Sequence, residues 1–105
     1  MSDMIQQLGA VLAQRKQADA ESSYVASLYA GGMEKILKKV GEETAEFIMA
    51  ATAGSEEQIV YEAADVWFHM LVALAQRDIP AERVIEELQR RFGLSGHAEK
   101  AGRSA

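Results

Sequence analysis

The chain has 105 residues and a mass of 11.5 kDa, enough for one small domain spanning 1–105. Eleven Lys and Arg against sixteen Asp and Glu leave a net charge of −5, which argues against a general nucleic-acid binder with a basic surface. The absence of cysteine excludes disulfides, thiolate zinc sites and cysteine nucleophiles. No apolar run approaches the ~20 residues of a membrane span. The start, MSDMIQQLGAV, lacks the basic-then-apolar pattern of a secretory signal, so the expected compartment is the cytoplasm.

One proline and few β-branched runs point to helix nearly everywhere, an all-α fold. The first predicted helix runs from about Met4 to Ala18, with Ile5, Leu8, Val11 and Leu12 on one stripe. Asp19 to Ser23 is a polar break. Tyr24 to Tyr29 forms a short helical stretch that Gly31-Gly32 ends. A long helix follows from about Met33 to Ala53 and stops at Gly54. Ser55 with Gln58 makes a capping box and opens the next helix, which continues to about Arg77. Pro80 suits the first position of a last helix, ending near Phe92-Gly93. The tail from Leu94 onward is rich in Gly, Ser and charge, and reads as a segment ordered only by a partner or ligand. Because the connection between the two long helices is so short, they should lie side by side and antiparallel in a helical bundle.

Two polar stripes carry the chemistry. On the first long helix, Lys35, Lys38, Lys39, Glu42, Glu43 and Glu46 share one face, lysines first and acids after. A solvated face would favour Glu before Lys, yet Lys38–Glu42 and Lys39–Glu43 run the other way, and Glu42 and Glu46 repel one another a turn apart. On the second, the run YEAADVWFHMLVALA (61–75) holds Glu62, Asp65 and His69 on one stripe and is otherwise apolar nearly all round. A helix of that kind is expected to be buried, and two carboxylates inside it need cations. Antiparallel packing about residue 54 sets 46 opposite about 62, and 43 opposite about 65, so five carboxylates should converge. All the ligands would be hard oxygens, which selects Mg²⁺, Mn²⁺ or Ca²⁺ over zinc or copper, with Mg²⁺ the preferred ion and Mn²⁺ its substitute. The Glu-x-x-Asp spacing does not fit the Glu-x-x-His pattern of di-iron bundles, and His69 reads as an orienting hydrogen-bond group. Mg²⁺ on carboxylates keeps positions for substrate phosphates, and the adjacent lysines would neutralise phosphate oxygens. Water attack on phosphorus is the implied reaction. Met33, Met49 and Met70 read as packing residues, Tyr61 and Trp67 as core or subunit contact, and His97 as a surface histidine.

The run Glu42-Glu43-x-x-Glu46 followed by Glu62-x-x-Asp65 resembles the E-E-x-x-E … E-x-x-D signature of the all-α, MazG-like nucleotide pyrophosphohydrolases. With SSYVASLYAGG (22–32), KILKKVGEETAEFIMAA (35–51) and RRFGLSGHAEKAGR (90–103), the chain is similar in particular to the phosphoribosyl-ATP pyrophosphohydrolase family of histidine biosynthesis. The resemblance implies Mg²⁺-dependent hydrolysis of phosphoribosyl-ATP to phosphoribosyl-AMP and pyrophosphate. It implies metal held by Glu43, Glu46, Glu62 and Asp65, with Glu42 as a further ligand or the group that activates water. Ser23, Tyr24, Lys35, Lys38 and Lys39 would contact substrate phosphates or ribose, and Arg91, Lys100 and Arg103 would suit the same anionic ligand. It also implies a homodimer, or a dimer of dimers, whose long helices complete a four-helix core, and a stand-alone form of the enzyme. Thr44 and Phe68 stand where Ala and Tyr are frequent in relatives, away from the ligand stripe. Two other readings share part of this pattern. One is a house-cleaning nucleoside triphosphate pyrophosphatase, which would need neither Ser23-Tyr24 nor a basic tail. The other is a dimeric helical interaction module with solvated acids.

Overall fold

A computed structural model describes residues 2–92; His97, Lys100 and Arg103, with the rest of the tail, lie outside them. Among the described residues the structure is all helix: α1 (Ser2–Gln14), α2 (Tyr24–Ala53), α3 (Glu56–Gln76) and α4 (Glu82–Arg90), with one 3-10 turn, Arg15–Gln17, after α1. The first helix therefore tightens before Ala18, whose N–H closes on the Arg15 carbonyl at 3.1 Å.

Local chemistry explains the boundaries. Ser23 sits in extended backbone and its Oγ accepts from the Ala26 N–H at 3.2 Å, capping α2. Gly54 ends α2 with its N–H on the Ala50 carbonyl, 2.7 Å. The capping box then forms reciprocally: the Gln58 N–H donates to Ser55 Oγ at 3.2 Å, and the Ser55 N–H donates to Gln58 Oε1 at 2.9 Å. At the other end of α3, Asp78 takes φ 58°, a conformation that Asp tolerates better than most residues. The Asp78 N–H reaches the Ala75 carbonyl at 3.0 Å and the Ile79 N–H reaches Leu74 at 2.9 Å, a Schellman arrangement. Lys16 Nζ meets Asp78 at 2.6 Å and ties this corner to the end of α1. Pro80 does not occupy the first helical position: it heads the turn before α4, its carbonyl taking the Arg83 N–H at 3.0 Å.

α2 is broken at Gly32, whose φ 83° and ψ 177° lie in a region open almost only to glycine. The Gly31-Gly32 stop read from sequence is thus a sharp bend between two helical segments, 24–31 and 33–53. In an unbroken helix Tyr24 would stand about 22 Å from Lys39. Instead the bend folds 24–31 back, and Lys35 Nζ reaches the Ser27 carbonyl at 3.4 Å. Gly31 makes room for this, since a Cβ there would run into the Lys35 side chain.

The core gathers Ile5 and Leu12 of α1, Val25, Leu28 and Ile36 of α2, Leu71 and Val72 of α3, and Ala81 before α4. Tyr29 donates its hydroxyl to the Leu12 carbonyl at 2.8 Å, satisfying one orphan group at the end of α1. Val11, expected on the apolar stripe, is 43% exposed. α2 packs chiefly on α3, but burial stops at Glu43 on one and begins at His69 on the other. Beyond those residues Ile48, Met49, Val60 and Tyr61 are all more than half exposed. The burial expected of α3 is therefore not met within one chain, where Trp67 is also 56% exposed. Of the three methionines read as packing residues, Met33 lies against the core while Met49 and Met70 do not.

Candidate active site

Glu43 lies two turns after the fully buried Ile36, so it inherits the face that α2 presents to α3. Glu42 and Glu46 flank that face and are exposed. The outcome is three converging carboxylates rather than five. Glu43, Glu62 and Asp65 each bring one oxygen within 4.8 Å of the others. Glu46, expected opposite Glu62, stands outside this trio, and Glu62 has Glu43 as its neighbour instead.

Glu43 is only 8% exposed. Its Oε2 and the Oε2 of Glu62 are buried without a hydrogen-bond partner. A buried polar atom left so costs about 1–3 kcal/mol, more for a charge. Lys39 Nζ stands 3.5 Å from Glu43 Oε1 and 3.5 Å from Glu42 Oε1, a partial counter-charge. No lysine or arginine among the described residues pairs with Glu62 or Asp65. Orphaned carboxylate oxygens at this density fit a hard divalent cation, whose preferred ligands are such oxygens.

Beside the trio stands a pair joined across the fold. The Tyr24 hydroxyl lies 2.8 Å from Nε2 of His69, and Nδ1 of His69 donates to the Asp65 backbone carbonyl at 2.8 Å. The two rings meet edge-on, 5.8 Å apart and 81° between planes. Burial raises the Tyr24 phenol above its ordinary range, as do Glu43, Asp65 and Glu42, while Lys39 acts in the opposite direction. Burial lowers the Lys39 ammonium, but Tyr24, Glu42 and Glu43 together outweigh it and push the group up. Tyr24 thus senses the acids that hold Lys39. His69 was legible as an orienting group, because it is a polar residue on an apolar helix. Its partner was not, since nothing in the order of residues joins position 24 to position 69.

The other residues expected at the site divide by role. Ser23 has its Oγ engaged in capping α2. Lys35 lies across Gly31, and Lys38 is exposed one turn before Glu42.

Fold and site together define an all-α protein whose carboxylate centre suits a hard divalent cation, with lysines beside it suited to phosphate. Residues 5–92 match the family model for phosphoribosyl-ATP pyrophosphohydrolase. The chain belongs to that family and is a hydrolase acting on a phosphoric anhydride, in histidine biosynthesis. The matched span includes Ser23, Tyr24, Lys35, Lys38, Lys39, Glu42, Glu43, Glu46, Glu62 and Asp65, and ends before Lys100 and Arg103.

Proposed function

We propose that the protein hydrolyses phosphoribosyl-ATP to phosphoribosyl-AMP and pyrophosphate with Mg²⁺, which Mn²⁺ can replace. The observation that carries this reading is the trio Glu43, Glu62 and Asp65, two of whose buried oxygens lack any donor. Glu43, Glu62 and Asp65 would hold the ion, with Glu46, exposed one turn after Glu43, as a fourth carboxylate. When bound, the ion supplies Lewis-acid polarisation and charge neutralisation at the phosphates. Lys35 and Lys38 bind phosphate oxygens as mobile point charges. Lys39, beside both Glu42 and Glu43, sets the local charge balance and holds Glu42 in place. Glu42 takes a proton from water as the water oxygen adds to phosphorus. The bond to the bridging oxygen breaks, and pyrophosphate leaves with its electron pair.

The deciding experiment is pyrophosphate release from phosphoribosyl-ATP and a panel of nucleoside triphosphates, with and without EDTA. Metal-dependent release from phosphoribosyl-ATP is the expected result. Release from ordinary triphosphates alone would transfer the same site to a house-cleaning role, and silence on all substrates would sink the enzyme reading. Lys38→Ala should raise KM about tenfold with little change in kcat, because one charged phosphate contact formed before reaction contributes roughly 1.4 kcal/mol of uniform binding. An unchanged KM would make Lys38 a surface residue.

The exposed outer half of the α2–α3 hairpin supports a homodimer, in which two antiparallel helix pairs complete a four-helix core or assemble further as a dimer of dimers. Ile48, Met49, Val60 and Tyr61 would be covered there, an apolar patch that isolated small domains rarely leave open. Tyr61→Glu should halve the mass measured by light scattering. A dimer unaffected by that charge would place the interface elsewhere. No helix among the described residues is long and apolar enough to cross a membrane.

A further inference from the structure

We propose that His69 is a positioning residue that turns Tyr24 into a hydrogen-bond acceptor at the edge of the carboxylate site, presenting the phenol oxygen to an O–H donor rather than to a phosphate oxygen. A backbone carbonyl only accepts, so His69 Nδ1, 2.8 Å from the Asp65 carbonyl, carries a proton. In the neutral imidazole this leaves Nε2 bare, so that it accepts from the Tyr24 hydroxyl, 2.8 Å away. That hydroxyl has one proton, now engaged, and its oxygen keeps only lone pairs for whatever else approaches. A phosphate oxygen also has only lone pairs and gains nothing there. A ribose hydroxyl or a water, each able to donate, fits.

The arrangement is held from behind. His69 is 4% exposed, so its ring has no solvent with which to exchange partners. Asp65 contributes its carboxylate to the trio and its backbone carbonyl to His69, one turn along the same helix. The direction of the Tyr24 oxygen is thereby referenced to the carboxylates themselves. Tyr24 reaches His69 only because the bend at Gly32 brings the first segment of α2 back over the second. What Tyr24 meets rests on the pyrophosphohydrolase reading; how the His69 ring is protonated does not.

The test has two independent arms. Long-range ¹H–¹⁵N NMR of the metal-free protein should show His69 as the Nδ1–H tautomer, with the Nε2 resonance moving in Tyr24→Phe. An Nε2–H tautomer or a doubly protonated ring at mildly alkaline pH would overturn the proposal whether or not the protein turns over. In the activity arm, Tyr24→Phe and His69→Leu should each lower kcat/KM for phosphoribosyl-ATP about tenfold, the scale of one lost hydrogen bond. The double variant should fall no further than the worse single one, since both remove the same interaction. His69→Gln, whose amide carbonyl can accept in place of Nε2, should recover most of the loss. Losses that multiply, or a Gln variant no better than Leu, would reduce His69 to a packing residue. A rise in KM alone would identify the donor as a substrate hydroxyl, and a fall in kcat would identify it as water; either agrees with the proposal. Failure of the wild-type chain to release pyrophosphate would count against the reaction assigned above, with the NMR arm still deciding the state of the ring.

Discussion

Glu43→Gln should abolish pyrophosphate release, by at least about a thousandfold, while making the metal-free protein more resistant to heat. The two effects share one cause. Glu43 holds a buried carboxylate whose Oε2 has no donor, close to Glu62 and Asp65. Replacing the charge with an amide removes like-charge repulsion and supplies N–H groups to the two remaining carboxylates. The loss is one ion pair with Lys39 at 3.5 Å, and the lysine side chain is 32% exposed. Such a pair contributes at most about 1 kcal/mol, whereas relief of an unsatisfied buried group is worth about 1–3 kcal/mol. The balance favours the variant by roughly 1 kcal/mol, or about 4–8 °C in Tm for a domain of this size. Added Mg²⁺ should raise the Tm of the wild type, since a ligand that binds only the folded state stabilises it, and should leave Glu43→Gln unmoved. Asp65→Asn should behave alike in turnover. Wild-type rates in both variants would remove the metal site altogether, and a lower metal-free Tm in Glu43→Gln would show that the orphaned oxygen is not a strained feature.

Gly32→Ala is expected to be the most damaging change remote from the carboxylates. No atom lies within 4 Å of where its Cβ would stand, so the penalty is entirely one of backbone conformation. At φ 83° and ψ 177° an L-residue is strained by about 1–3 kcal/mol, which corresponds to a Tm lower by roughly 4–24 °C. If the bend relaxes to relieve that strain, Tyr24 leaves His69 and activity falls as well. A D-alanine introduced at the same position by chemical ligation separates these effects, because its mirror-image preference accepts positive φ. The D-variant should match the wild type in both Tm and turnover. Equal damage from both enantiomers would mean that the space around residue 32, and not its backbone, sets the limit.

Much of this was legible along the chain because the rules involved are short-range. The Gly54 stop, the Ser55–Gln58 capping box and the start of α2 after Ser23 each depend on groups within a few residues of one another, and the structure places all three as read. The four-acid pattern and the stripe of Glu62, Asp65 and His69 follow from helical period alone. The same reasoning overshot where it needed a rotation angle. Five acids share roughly the right faces, but only the one in register with Ile36, Glu43, turns fully inward to meet Glu62 and Asp65. Pro80 was placed too far into its helix because the preference for the first turn does not distinguish a helix from the turn that leads into it.

The pair of Gly31-Gly32 announced an interruption, and the apolar excess on α3 announced a surface in need of cover. Neither gave a direction. How sharply the chain bends at Gly32, that Tyr24 returns to the level of Lys39, and that His69 receives its hydroxyl are consequences of how Val25, Leu28 and Ile36 pack with Leu71 and Val72. Helix type, caps and charge pattern are set by interactions a turn or so apart and can be read in order along the chain. Which polar groups meet, and which of them carries the proton, depends on the summed packing of side chains distant in sequence, and for that the folded arrangement is the only source.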